Sequence, residues 1–167
     1  MRLRDVTLDD EALWVRLRCD PAMWTELGGP QTLESIPDKI KTDVASVKAD
    51  ESWISVVESD DGEPMGSVCI WTQEHGDDAV SEIGWMVLRE FQGRGIGKAA
   101  VRAILDRARG DGRWGVIHAY PGVTNDPSNG ICRSLGFTLV ATTDFDYDGE
   151  TMRCHHWKID PVSTIPG

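Results

Sequence analysis

The chain has 167 residues, with 28 Asp or Glu against 17 Lys or Arg, and a formal net charge of −11. That length suits one domain spanning residues 1–167, large enough to fold without disulfides or a structural metal. So negative a charge excludes a general nucleic-acid binder, which needs many cations against phosphates, and a polybasic membrane binder as well.

Val6-Thr7-Leu8-Asp9-Asp10 ends a short strand and opens a helix, with Thr7 and Asp10 spaced as a capping box. Gly28-Gly29-Pro30 breaks the chain, and Leu33, Ile36, Ile40, Val44 and Val47 then recur at helical spacing, with Pro37 suited to the first turn. Residues 53–57 and 66–72 are rich in β-formers around the turn Asp60-Asp61-Gly62 and predict a hairpin. Residues 80–87 predict another strand, where Gly84 suggests a bulge or a close backbone approach. A helix follows from about Ile96 to Arg109, stopped by Gly110 and Gly112. Residues 116–120 form a buried-type strand, Pro127 or Ser128 opens a short helix ending at Gly136, and 138–141 and 151–159 are the last strands. The order β-α-α-β-β-β-α-β-α-β-β predicts a single-domain α+β fold with a mixed, mostly antiparallel sheet. The helix crossover between 80–87 and 116–120 makes that pair parallel.

No apolar run is long enough to cross a bilayer, and the start Met1-Arg2-Leu3-Arg4-Asp5 lacks the apolar stretch of a secretory leader. Cys19, Cys69, Cys132 and Cys154 form no C-x-x-C pair and no zinc spacing, so free thiols in a reducing cytoplasm and no metal are expected.

The chemistry concentrates in Phe91-Gln92-Gly93-Arg94-Gly95-Ile96-Gly97-Lys98, between a strand and a helix. Alternate glycines allow a tight turn, and unpaired amides at the helix start, with the helix dipole, form an anion site. Arg94 and Lys98 add positive charge, so phosphate or pyrophosphate is the natural guest; a Gly-rich turn that binds nothing is the plainer alternative. A Walker A loop is excluded by Gln92 and Ala99 where Gly and Ser/Thr belong. The dinucleotide fingerprint is excluded by the spacing Gly93-x-Gly95-x-Gly97.

Gln92-Gly93-Arg94-Gly95-Ile96-Gly97 resembles the Q/R-x-x-G-x-G/A signature of the GNAT superfamily of acetyl-CoA-dependent N-acyltransferases. Glu82 to Val87 resembles the strand before that signature, and Asn125-Asp126-Pro127-Ser128 with Leu135-Gly136-Phe137 resembles the second motif, N-x-x-S then L-G-F. Residues 80–140 carry most of the likeness; the start resembles the ribosomal-protein acetyltransferase branch. The resemblance implies that the segment Gln92, Gly93, Arg94, Gly95, Ile96, Gly97 and Lys98 holds the CoA pyrophosphate, through backbone amides above all. It further implies that Met86 and Val87 pair with the pantetheine in a gap between splayed parallel strands. Asn125 and Ser128 would line that arm or simply cap the helix.

The implied reaction is direct attack of a primary amine on the thioester in a ternary complex. An alkyl ammonium, with a pKa near ~10, must first lose a proton, and Glu82 is the candidate base, directly or through water. The family's Tyr acid, five residues before the Phe of L-G-F, is Cys132 here, either a thiol donor or a buried structural residue. The expected partners are acetyl-CoA and an amine, with a homodimer allowed. The acidic field points to a cationic small amine drawn toward Glu82 and the loop around Asp144 and Asp146. A protein N-terminus or Lys side chain is the alternative, and a non-catalytic acyl-CoA-binding module a more distant one. An open groove would favour a peptide, and a closed pocket walled by Trp24 or Trp71 a small molecule. His118 reads as an ordinary strand residue. Cys154-His155-His156 cannot converge on a metal, because neighbours in a strand point to opposite faces.

Overall fold

The computed structural model describes residues 1–24, 29–75, 78–147 and 150–162. Its elements follow the expected order. They are β1 Arg2–Asp5, α1 Glu11–Arg18, α2 Ile36–Lys48, β2 Trp53–Glu58, β3 Pro64–His75, β4 Asp78–Val87, α3 Ile96–Asp111, β5 Ile117–Ala119, α4 Asp126–Ser134, β6 Thr138–Tyr147 and β7 Glu150–Ile159. The strands form one seven-stranded sheet in the order β1-β2-β3-β4-β5-β7-β6. β4 and β5 run parallel and the other pairs antiparallel.

Each face of the sheet carries its own core. On one face α3 and α4 bury Ile104, Leu105 and Leu135 against Val68, Ile70, Ile83, Ile117 and Trp157. On the other α1 and α2 bury Trp14, Leu17, Ile36 and Ile40 against Val56 and Leu88. Each such aliphatic side chain contributes roughly 1.5–3 kcal/mol of apolar burial. Several charged and polar groups that go inside are paired, while Gln31 Oε1 and the Nε1 atoms of Trp53 and Trp114 are buried without a hydrogen bond to the described residues. Trp14 Nε1 donates to Asp43 at 2.7 Å. Arg4 donates to both Asp10 oxygens, at 2.6 and 2.7 Å, and also to Glu58. Burial alone would raise the Asp10 carboxyl; Arg4 and the Thr7 amide of the capping box outweigh it and hold it low.

Four local expectations change. Residues 144–147, read as part of an acidic loop, continue β6, because Thr142, Thr143, Phe145 and Tyr147 are β-formers between the acidic residues. Asp148, Gly149 and Gly28 lie outside the described residues, as does the Asp146 side chain. Gly110 sits inside α3, and the helix ends at Gly112, whose φ of +81° suits a left-handed cap. Leu33 precedes α2 and is exposed, whereas Pro37 takes the first turn as expected. Gly84 makes no bulge; the β3–β4 register is unbroken there. A Cβ at Gly84 would come within 3.2 Å of the Trp71 ring, so the glycine lets that ring lie on β4.

Candidate active site

The site grows from the two unequal edges of β4. Against β3 it pairs from Gly66↔Val87 to His75↔Asp78; against β5 it pairs only at Ser81↔Ile117 and Glu82↔His118. Beyond that point the strands part. The chain after Ala119 turns toward β7, where His155 N donates to Pro121 O at 2.9 Å and Val123 N to Arg153 O at 3.0 Å. Buried Asn129 on α4 fixes this turn. Its Nδ2 donates to Gly122 O at 2.9 Å, and its Oδ1 accepts from Trp157 Nε1 at 2.8 Å. Among the described residues no strand covers Gly84 to Val87 on the β5 side. Leu88 N donates to Met65 O at 2.9 Å, so by alternation the main-chain groups of Met86 face Ser67 on β3, against the expectation for Met86, and those of Trp85 and Val87 face the open cleft.

The glycine loop closes one end of that cleft. Gly93 and Gly95 take φ of +73° and +76°, which side-chain-bearing residues adopt only with strain. Ala99 N, bonded to Gly95 O at 3.0 Å, is the amide that starts the α3 ladder. The preceding amides of Ile96, Gly97 and Lys98 therefore face outward as helix-start donors. Gly97 is required for another reason: a Cβ there would lie 3.1 Å from Ile131 Cδ1 and 3.6 Å from Val87 Cγ2. The loop, the end of β4 and α4 thus meet at one point. Arg94 lies over the Phe91 ring at 5.6 Å. Exposed Gln92 donates to Val87 O at 2.8 Å, which ties the loop to the strand. Asn125 Oδ1 accepts from Ser128 N at 3.1 Å, so this pair caps α4. The arrangement offers amides and positive charge for a pyrophosphate and an unpaired strand edge for an amide-bearing arm. It fits CoA.

Glu82 stands where β4 and β5 part, half-buried, and burial pushes its carboxyl up to about 7. Its ladder neighbours are Trp71 on β3 and His118 on β5. His118 Nδ1 and His156 Nε2 are 2.7 Å apart, and the Tyr120 ring stacks on His156 at 4.7 Å. Burial and the Glu82 charge both raise the Tyr120 phenol. The sequence reading missed this cluster, because it depends on β5 and β7 becoming neighbours. The alternation within Cys154-His155-His156 was the available signal: His155 points the other way, to Asn129 at 2.9 Å.

Cys132 does not reach the site as an acid. It is wholly buried in the α3–α4 core, and burial pushes its thiol up to about 12. Proton transfer from so weak an acid to a thiolate of pKa ~8.5 runs uphill, so a packing role is the one its placement supports. Trp24 is no pocket wall either; it is buried, with Nε1 donating to Leu17 O at 2.8 Å. Beside the glycine loop lies an open groove of about 990 Å³. Val15, Cys19 and Met23 line one side, and Leu88, Arg89 and Gln92 the other.

Residues 1–138 match the Acetyltransferase (GNAT) domain family. No curated protein matches the chain by sequence. Among solved structures, Mycobacterium smegmatis RimJ in complex with CoA-disulfide is 25% identical, with a TM-score of 0.78 over 95% of this chain and 80% of that one. A Salmonella typhimurium acetyltransferase that modifies the N-terminal serine of ribosomal protein L7/L12 is 17% identical, with a TM-score of 0.79 over 95% and 93%. A spermidine N-acetyltransferase chimera of Vibrio cholerae SpeG and hSSAT is 15% identical, with a TM-score of 0.76 over 97% of each chain.

Proposed function

The chain belongs to the GNAT acetyltransferase family, and from that premise we propose that it moves an acetyl group from acetyl-CoA to the α-amine of a peptide or protein N-terminus. The observation that carries this reading is the half-buried Glu82 carboxyl placed where β4 and β5 part, at the edge of the open cleft. An α-ammonium titrates near ~8 and an alkyl ammonium near ~10. Any base therefore deprotonates the first more easily than the second by about two units, each worth about 1.4 kcal/mol. Solved relatives of like fold include acetyltransferases of ribosomal-protein N-termini.

In this reading the amides at the start of α3 bind the pyrophosphate, and the open edge of β4 at Trp85 and Val87 aligns the pantetheine as an added strand would. The bound cosubstrate supplies the thioester. Glu82 removes the first proton from the amine, an amide of the open β4 edge stabilises the negative charge that develops on the thioester oxygen, and as the C–S bond breaks the nitrogen's second proton goes to the leaving thiolate. A cationic small amine is the second reading, favoured by the net charge of −11. Thiol release from acetyl-CoA with short peptides, polyamines and aminoglycosides compares the two. The expected result is kcat/KM at least about tenfold higher for a peptide α-amine, of which the pKa difference alone supplies more than enough. A polyamine as the best acceptor would replace the first reading with the second.

A further inference from the structure

Every turnover leaves a proton on Glu82, and the carboxylate must be emptied before the next amine is bound. Solvent is not its only neighbour. Glu82 and His118 face each other across the β4–β5 ladder, where strands lie about 4.8 Å apart, so their side chains stand side by side on one face. His118 in turn contacts His156 through the 2.7 Å Nδ1–Nε2 approach, and Tyr120 covers His156 with its ring planes 19° apart. Two imidazoles at that distance need one N–H and one lone pair between them, so at least one ring is neutral. Such a pair can take up one further proton on its outer nitrogens, and a second would set two positive rings in hydrogen-bond contact.

We propose that His118 and His156 form a proton relay that empties Glu82 after each transfer and delivers the proton to solvent. This rests on Glu82 being the base. The acceptor ammonium loses its first proton to the Glu82 carboxylate. As the new C–N bond forms and the C–S bond breaks, the nitrogen's second proton goes to the leaving thiolate, giving free CoA. The carboxyl passes the first proton to the neutral imidazole pair, giving an imidazole–imidazolium pair, and that pair releases it to water. Nothing is oxidised or reduced. The histidines touch no reacting atom and act through Glu82.

Among the described residues these groups face the pair. Glu82 approaches from β4, Tyr120 from the turn after β5, and Lys158, the ladder partner of His118, from β7. β6 offers Ala141 opposite His156. Cys69 lies on β3, and its thiol, pushed up by burial to about 11, stays protonated; Arg18, Lys39 and Asp43 approach it from α1 and α2. Of these Glu82 is the carboxyl that shares a face with the pair and sits next to it in the ladder.

The test replaces rings by rings. His118→Phe, His156→Phe and the double variant keep the stack with Tyr120 and lose the nitrogens. The expected result is an about tenfold or larger fall in kcat at pH 7, unchanged KM for acetyl-CoA, and a double variant no slower than the slower single. Added imidazole should restore the rate in proportion to its concentration. Wild-type kcat in both singles, multiplicative losses, or losses that imidazole does not rescue would overturn the relay. The unmodified protein gives an independent reading. Imidazole ¹⁵N spectra across pH 5 to 9 should show His118 and His156 sharing one proton; separate titration to two imidazolium rings would overturn it. If Glu82→Gln is inactive while the histidine variants are unaffected, only the relay fails. If Glu82→Gln is fully active, the base assignment itself fails.

Discussion

The two edges of β4 are made of the same residues and do opposite work. Toward β3 the strand is paired along its whole length, from Asp78 to Val87. Toward β5 it is paired for two residues and then stands open. The paired edge fixes the strand; the open edge leaves backbone groups in want of partners, which a folded protein tolerates only where water or a ligand supplies them. The opening is built by what happens to β5. That strand is three residues long, and the chain beyond it is pulled toward β7 by Asn129. A buried amide that closes one contact thus opens the other.

The largest effect should come from the residue at the fork. Glu82→Gln keeps the shape and removes the base, so kcat should fall about 10²-fold or more while acetyl-CoA affinity holds. The wild-type rate should rise with pH through about 7, as the carboxylate forms, and that limb should vanish in the variant. Stability should move the other way. The folded carboxyl titrates above its unfolded value of 4.5, so the folded state holds the extra proton between the two values and loses stability as pH rises through that window. At pH 8 Glu82→Gln should therefore melt higher than wild type, and at pH 4 the two should coincide. A wild-type rate in the variant, measured by thiol release, would remove Glu82 from the mechanism.

A smaller and more local effect is expected at the closed end of the cleft. A side chain at Gly97 has to push Ile131 aside and then occupies space beside the outward amides. Gly97→Val should weaken acetyl-CoA binding at least about tenfold, or 1.4 kcal/mol, read by calorimetry. Pairing it with Ile131→Ala should recover stability but not affinity. Recovery of both would make the loss a packing effect and detach the loop from the cofactor.

The open edge and the closed core also differ in how they could be read from sequence. The glycine loop is local: three alternate glycines, a helix start and two cations lie within seven residues, and the structure keeps them together. The parallel pair was legible for a similar reason, since a helix crossover dictates it. Glu82 was legible as a residue type on the strand before the loop. The His118–His156 contact was not, because it joins residues 38 positions apart through β5 and β7 pairing. Asn129 was hidden inside a motif whose visible members, Asn125 and Ser128, turn out to cap a helix, while Asn129 itself carries the long-range bonds. Acidic composition misled at residues 144–147, where side chains alternating with Thr, Phe and Tyr belong to a strand.

Cys132 sets the lower limit of these effects on catalysis. It occupies the position where the family resemblance implies an acid, yet it lies in the α3–α4 core with Leu135 and Ile104, wholly out of solvent. Its thiol, pushed up to about 12, is a poor donor to a leaving thiolate, and its sulfur is a good filler of an apolar space. Cys132→Ala removes that filler and leaves a small cavity, at a cost of about 1–2 kcal/mol, which in a chain of this length lowers Tm by about 2–8 °C. Turnover per folded enzyme should stay within about threefold of wild type, since nothing at the β4–β5 fork has changed. Cys132→Ser should be the less stable of the two, because its hydroxyl would have to be buried among apolar neighbours. The reverse pattern, a wild-type Tm with kcat down more than about tenfold in Cys132→Ala and recovered in Cys132→Ser, would move the acid back to this position.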